Sequence, residues 1–324
     1  MPRPSLTCIR RILTWVGRRR ALAAGSAIAL ALLSPPARAH VENPPAGPSD
    51  LWTTWSLDPI VLTVLTAATI AYGLGVRRLW SRAGVGRGVT VWQVGSFAAG
   101  IGALLIALVS PLDGLGESLF SAHMAQHIVL TAVAPPFLLL GKPLTLIWNL
   151  PPQARMAVGH WMRNGMLPRI WRWLAHPISA FFIEAAVLWG WHEPRAIHAA
   201  LENDIVHASM HVSFLAGGVL LWKSLAHPGT LRNADYLIAA AASFLTMLHT
   251  GMLGALLTFA PRSYYPFYED RPLAWDFTLL EDQQLAGLFM WVVCGIIYTV
   301  VALLCIGAFL RDLERRSASR ASRF

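Results

Sequence analysis

Cysteine is nearly absent from this chain: three in 324 residues, at Cys8, Cys294 and Cys305. The last two share one apolar run, and as helix their separation is about 16 Å of rise, beyond disulfide reach. A disulfide framework is therefore excluded. Charge is scarce as well, at 13% of residues, and acid is scarcer than base, 17 against 26. The apolar runs do not alternate, which excludes a transmembrane barrel. H-E-x-x-H is missing, and no general base stands beside the histidine pairs, which argues against a hydrolytic zinc enzyme.

Hydrophobic residues make up 55% of the chain and fall in long runs, the composition of a polytopic membrane protein. Backbone polar groups have no water partner in lipid, so the spans should be helices. The sequence predicts an all-α integral membrane bundle with seven spans, at about 59–76, 89–110, 118–140, 177–191, 205–222, 237–259 and 285–310. Residues 1–39 read as a signal peptide: Arg10, Arg11 and Arg18–Arg20 precede the short apolar run Ala21–Leu33, and Ala37-Arg38-Ala39 is an A-x-A cleavage pattern. An uncleaved anchor is the alternative, and both put residue 40 outside. The membrane domain then covers 40–310, with a basic tail over 311–324.

From that start, sixteen basic residues fall on the inner side. Only Arg195, Arg262 and Arg271 fall outside. The positive-inside rule sets a bacterial plasma-membrane orientation with the C-terminus cytoplasmic. The formal net charge of +9 is thus a product of topology, and no nucleic-acid partner is indicated. The stretch 151–175, with Trp161, Trp171, Trp173 and its arginines, reads as amphipathic helix along the inner interface.

Eight of the eleven histidines then lie outside or in the outer half of the membrane. His123/His127 and His207/His211 are both i,i+4, so each pair shares a helical face. His192 ends the fourth span and His249 lies deeper in the sixth. Met124, Met210, Met247, Met252 and Met290 fall in the same region, where packing is the simpler role for each. Glu281 and Asp282 open the last span and can cap it. Glu184 is a mid-depth carboxylate, read as a structural hydrogen-bond partner or a proton-handling group. Cys294, also deep, reads as core. Ionisable groups in a membrane usually face the bundle interior or a cavity. Imidazole donors suit copper, zinc, iron or haem, and thioethers tilt a site toward Cu(I). Pro135-Pro136 should break or bend the third helix.

The segments SPLDGLGESLFSAHMAQHIVLTAVAPPFLLLGKP (110–143), WGWHEP (189–194), HASMH (207–211) and LEDQQLAGLFMW (280–291) resemble the seven-helix CtaG family of cytochrome c oxidase assembly factors. The resemblance runs from about 51 to 310. It implies a plasma-membrane, non-catalytic protein that assembles the haem–copper oxidase and supplies copper to it, with oxidase subunits and an extracytoplasmic copper donor as partners. By that analogy His123, His127, His207 and His211 form an outward metal site for copper, as Cu(I). His192 and His249 are supplementary ligands. Asp282, Glu281, Met124, Met210 and a mature N-terminal His40 are supporting or additional donors. A membrane protein binding b-type haem for electron transfer is the alternative, and a copper transporter is the third reading.

Overall fold

The computed structural model describes residues 47–162, 164–225 and 233–321, which are helical with no strand. The leader, His40 and Arg232 lie outside the described residues. α1 (Pro59–Ala83) starts at Asp58, whose carboxylate accepts from the Ile60 and Val61 amides at 2.6 and 3.1 Å. These are donors that a helix start leaves open. α2 (Val91–Leu108) begins with a Thr90–Gln93 capping box. Then come the short α3 (Pro111–Ser118), α4 (Phe120–Ile128) and α5 (Ala134–Leu140), the last two joined through a π turn, Val129–Val133. α6 (Pro152–Trp161), α7 (Leu167–Leu174), α8 (Pro177–Trp191), α9 (Pro194–Glu202), α10 (Asp204–Leu225), α11 (Asn233–Thr258) and α12 (Leu279–Ala321) complete the order.

Among the described residues six segments are long and apolar enough to cross a membrane, and a seventh is gained if α7 and α8, bent by 69°, form one span. α8 alone has 15 residues, about 22 Å of helix against a hydrocarbon core of about 30 Å. Hence the fourth expected span needs α7 or a local thinning. α6 and α7 are present where the amphipathic stretch was expected, with Trp161, Trp171 and Trp173 exposed. The last span runs unbroken to Ala321, so Arg315, Arg316 and Arg320 extend the helix.

The spans are not equivalent. Over half (56%) of the third span's apolar window, Phe120–Leu140, is buried inside the protein, against 22% for α1. The third span touches α2, α10 and α12, as expected of a helix that must bury every face. α11 and α12 pack most extensively with each other. Gly254 and Gly287 make that possible: a Cβ at Gly287 would lie 2.5 Å from the Gly254 carbonyl oxygen. The same span opens with DQQ, whose Gln283 accepts from the Tyr264 amide at 2.7 Å.

The prolines of the third span do not end it. A Pro135 nitrogen cannot donate to the carbonyl four residues back, which is that of Thr131. That carbonyl takes the Trp222 indole N–H at 3.0 Å instead. One turn wide enough to be a π turn absorbs the mismatch, closing with the Ala134 amide on the Val129 carbonyl. The helix then continues to Leu140. π turns often occur at functional sites, and this one directly follows His127. The G-K-P motif below it is architectural. A Cβ at Gly141 would meet the Phe97 backbone at 2.8 Å, and the Gly141 carbonyl accepts from the Tyr72 hydroxyl at 2.6 Å.

Candidate metal centre

α4 and α10 face each other at the histidine end of the bundle. On each, a one-turn spacing stacks two imidazoles on the facing side. The ring centroids within a pair are 4.2 Å apart, both for His123–His127 and for His207–His211. Across the helices, His123 lies 5.7 Å from His207 and 6.2 Å from His211, and His127 lies 5.6 Å from His211. His123, His127 and His211 are buried. Both ring nitrogens of His127 are enclosed without a hydrogen-bond partner, an arrangement that costs free energy unless something else satisfies them.

These dimensions suit a shared ion. With metal–nitrogen bonds of about 2.0 Å, two ligating imidazoles have centroids within about 6.5 Å of each other. All the separations above meet that limit. The rings are not already closed into a cage: among the described residues, no three His, Cys, Asp or Glu groups converge in a ready ligand set. Binding an ion therefore requires ring rotation.

His192 closes the lower edge of the quartet, its ring 6.2 Å from that of His127. It follows α8 in the W-G-W-H-E-P turn. There Trp191 donates to the Ser213 hydroxyl at 2.7 Å, and Glu193 caps α9 through the Ala196 amide at 3.0 Å. Met124, fully buried, places its sulfur 3.0 Å from His192 Nε2. Between these groups and mid-depth lies a cavity of about 20 Å³, room for about one water or a bare ion.

The other expected donors stand elsewhere. His249 meets Glu184, Nε2 to Oε2 at 3.1 Å, in an ion-pair contact not aligned as a hydrogen bond. Asp282 touches no imidazole. Its carboxylate crosses to the start of α4 and accepts from the Phe120 amide at 2.6 Å, the Ser121 amide at 3.1 Å and the Ser121 hydroxyl at 2.5 Å. It caps the helix that carries His123 and His127, rather than its own. Glu281 forms a capping box with Thr278 on α12. Met210 packs in the apolar core, and Met252 is exposed on the bundle surface. Met247 accepts from the Thr299 hydroxyl at 3.0 Å. Met290 and Cys294 line the cavity with Glu184.

Several supports of the centre carried no signal in motif or spacing. The 260–278 connection folds over the histidine end. Its Tyr265 hydroxyl donates to the His192 carbonyl at 2.9 Å, and Tyr268 donates to the Gly116 carbonyl at 2.8 Å. Burial, followed by the nearby Asp282 carboxylate, holds the Tyr268 hydroxyl well above its ordinary pKa, and burial likewise raises Tyr265. Both stay protonated donors. Gln126 donates to the Ala107 carbonyl at 2.7 Å and to Asp113 at 2.6 Å, bracing α4 beside His123. The aromatic density of 264–268 was the only hint of this lid.

A family model described as cytochrome c oxidase caa3 assembly factor (Caa3_CtaG) matches residues 70–312. The chain is 27% identical over 285 residues to the uncharacterized proteins Mb0105 of Mycobacterium bovis and MT0111 of Mycobacterium tuberculosis. It is 25% identical over 287 residues to ML1998 of Mycobacterium leprae. These matches cover 84% of this chain and 41–42% of the relatives, so the chain spans about two fifths of their length. No solved structure matches.

Proposed function

Since the chain belongs to the Caa3_CtaG family of cytochrome c oxidase caa3 assembly factors, we propose that its part in assembly is to bind copper and assist metallation of the oxidase. His123, His127, His207 and His211 form the receiving site. The observation that carries this is the grouping of four imidazoles from two helices, with neighbouring ring centroids 4.2 to 6.2 Å apart, around a buried His127 with both ring nitrogens unsatisfied. Copper is favoured over haem by the space available, a cavity of about 20 Å³, too small for a macrocycle. The role is non-catalytic: the site needs to capture and release an ion.

The arginines gathered at the opposite end of the bundle support a reading with the histidine end outside the bacterial plasma membrane. An extracytoplasmic donor and the copper-bearing oxidase subunits can both reach it there. The test is metal content and visible absorption of the detergent-purified protein beside a His123→Ala/His127→Ala variant. Copper near one ion per chain, lost in the variant without a Soret band, is the expected result. Haem in the wild type would replace this reading with the cytochrome one, and full copper retention in the folded variant would remove the quartet from it.

A further inference from the structure

The contact between His192 and Met124 is chemically incomplete as it stands. His192 Nδ1 lies 2.7 Å from the Leu188 carbonyl oxygen. A carbonyl only accepts, so Nδ1 carries the ring hydrogen and, in the neutral ring, Nε2 presents a bare lone pair. That lone pair faces the Met124 sulfur at 3.0 Å, and a thioether has no hydrogen to give. Two electron-pair donors, both buried, are thus aimed at one space. A cation between them resolves the conflict: 3.0 Å allows one ion to touch both, at ordinary nitrogen and sulfur ligand distances of about 2.0 and 2.3 Å.

The neighbours are of the same chemical kind. The adjoining cavity is lined by His127, with its unsatisfied ring nitrogens, and by Met290 from α12. Glu184 lines it too and supplies the counter-charge that a cation in a low-dielectric interior requires. We propose that Met124, His127, His192 and Met290 form a second, sulfur-containing station for Cu(I), one step inward from the histidine quartet, with His127 shared between the two. This rests on the copper reading above and adds to it a soft site selective for the reduced ion. The quartet, all nitrogen, accepts Cu(II) or Zn(II) as readily; the inner station does not, because thioethers prefer soft monovalent ions. Transfer from quartet to station is ligand exchange at constant oxidation state and needs no electron donor.

The experiment is X-ray absorption on the full-length protein in detergent, loaded anaerobically with one equivalent of Cu(I) kept reduced by ascorbate. Titrations with Cu(I) and Zn(II) run in parallel on wild type and Met124→Leu. A sulfur shell near 2.3 Å is expected in the wild type. The variant should lose at least tenfold in Cu(I) affinity with Zn(II) binding unchanged. A copper shell of nitrogen alone in the wild type overturns the inner station while leaving the quartet standing. No copper bound by the wild type overturns both. The wild-type spectrum decides even where Met124→Leu does not fold.

Discussion

The histidine quartet and the Glu184–His249 pair are both imidazole clusters in an apolar bundle, and they differ in what stands beside the ring. In the quartet each imidazole has other imidazoles for neighbours, at centroid distances of 4.2 to 6.2 Å. At mid-depth His249 has a carboxylate oxygen 3.1 Å away and the edge of Phe181 packed against it. There the imidazole is set against a carboxylate of the protein itself, in contact though not aligned as a hydrogen bond. Imidazoles grouped with imidazoles bring several nitrogen donors near one another, which rotated rings can direct at one cation. Imidazoles in the two clusters are thus set beside different partners.

Breaking the pair should have the largest effect on stability and leave Zn(II) binding by the quartet intact. Glu184→Ala empties a buried volume and leaves His249 facing an apolar gap. We expect a loss of about 3 kcal/mol, read as a lower midpoint in thermal unfolding in detergent. The quartet should still bind Zn(II) with wild-type affinity. If Zn(II) binding falls with Glu184→Ala in the folded protein, the two clusters are one site and the comparison fails.

How far this contrast was visible beforehand depends on the range of the interaction involved. The i,i+4 spacing put His123 with His127 and His207 with His211, because a helix fixes those neighbours by itself. That α4 faces α10 was not readable, since helix order around a bundle leaves no local trace. The mid-depth position of Glu184 was plain, but its partner His249 sits on another span, 65 residues on in the sequence. Pro135 announced a disturbed helix. The form it took, a π turn with the freed Thr131 carbonyl held by Trp222, depends on a residue 91 positions away. Asp282 looked like a cap for its own helix, and it caps α4 across 161–162 residues instead. Local rules located the donors; long-range contacts decided which of them meet.

Asp282 sharpens the comparison at intermediate scale, because it holds the quartet's helix without touching a histidine. Asp282→Asn keeps the shape and replaces one acceptor oxygen with an NH₂ that opposes the donors at Phe120 and Ser121. A destabilisation of about 2 kcal/mol is expected. The metal effect should resemble that of other supporting residues behind a ligand, roughly a 10- to 100-fold weaker affinity. Thermal unfolding and metal titration on one preparation check both. Unchanged affinity alongside lowered stability would show that the position of His123 does not depend on the cap.

His198 provides the smallest expected effect and the control for the others. It belongs to the same end of the bundle and is also i,i+4 to a polar partner, with Nδ1 3.3 Å from Glu202. Its side chain, however, is 49% exposed and that of Glu202 58%, so water screens the pair and competes for both groups. Such exposed pairs contribute at most about 0.5 kcal/mol, and the ring offers no enclosed nitrogen to an ion. His198→Ala should therefore leave unfolding midpoint, copper stoichiometry and Zn(II) affinity within error of wild type. A loss of bound copper in this variant would mean that ions are held by histidines of the bundle rim in general. Burial and convergence, the two properties that separate the quartet from His198, would then no longer define the site.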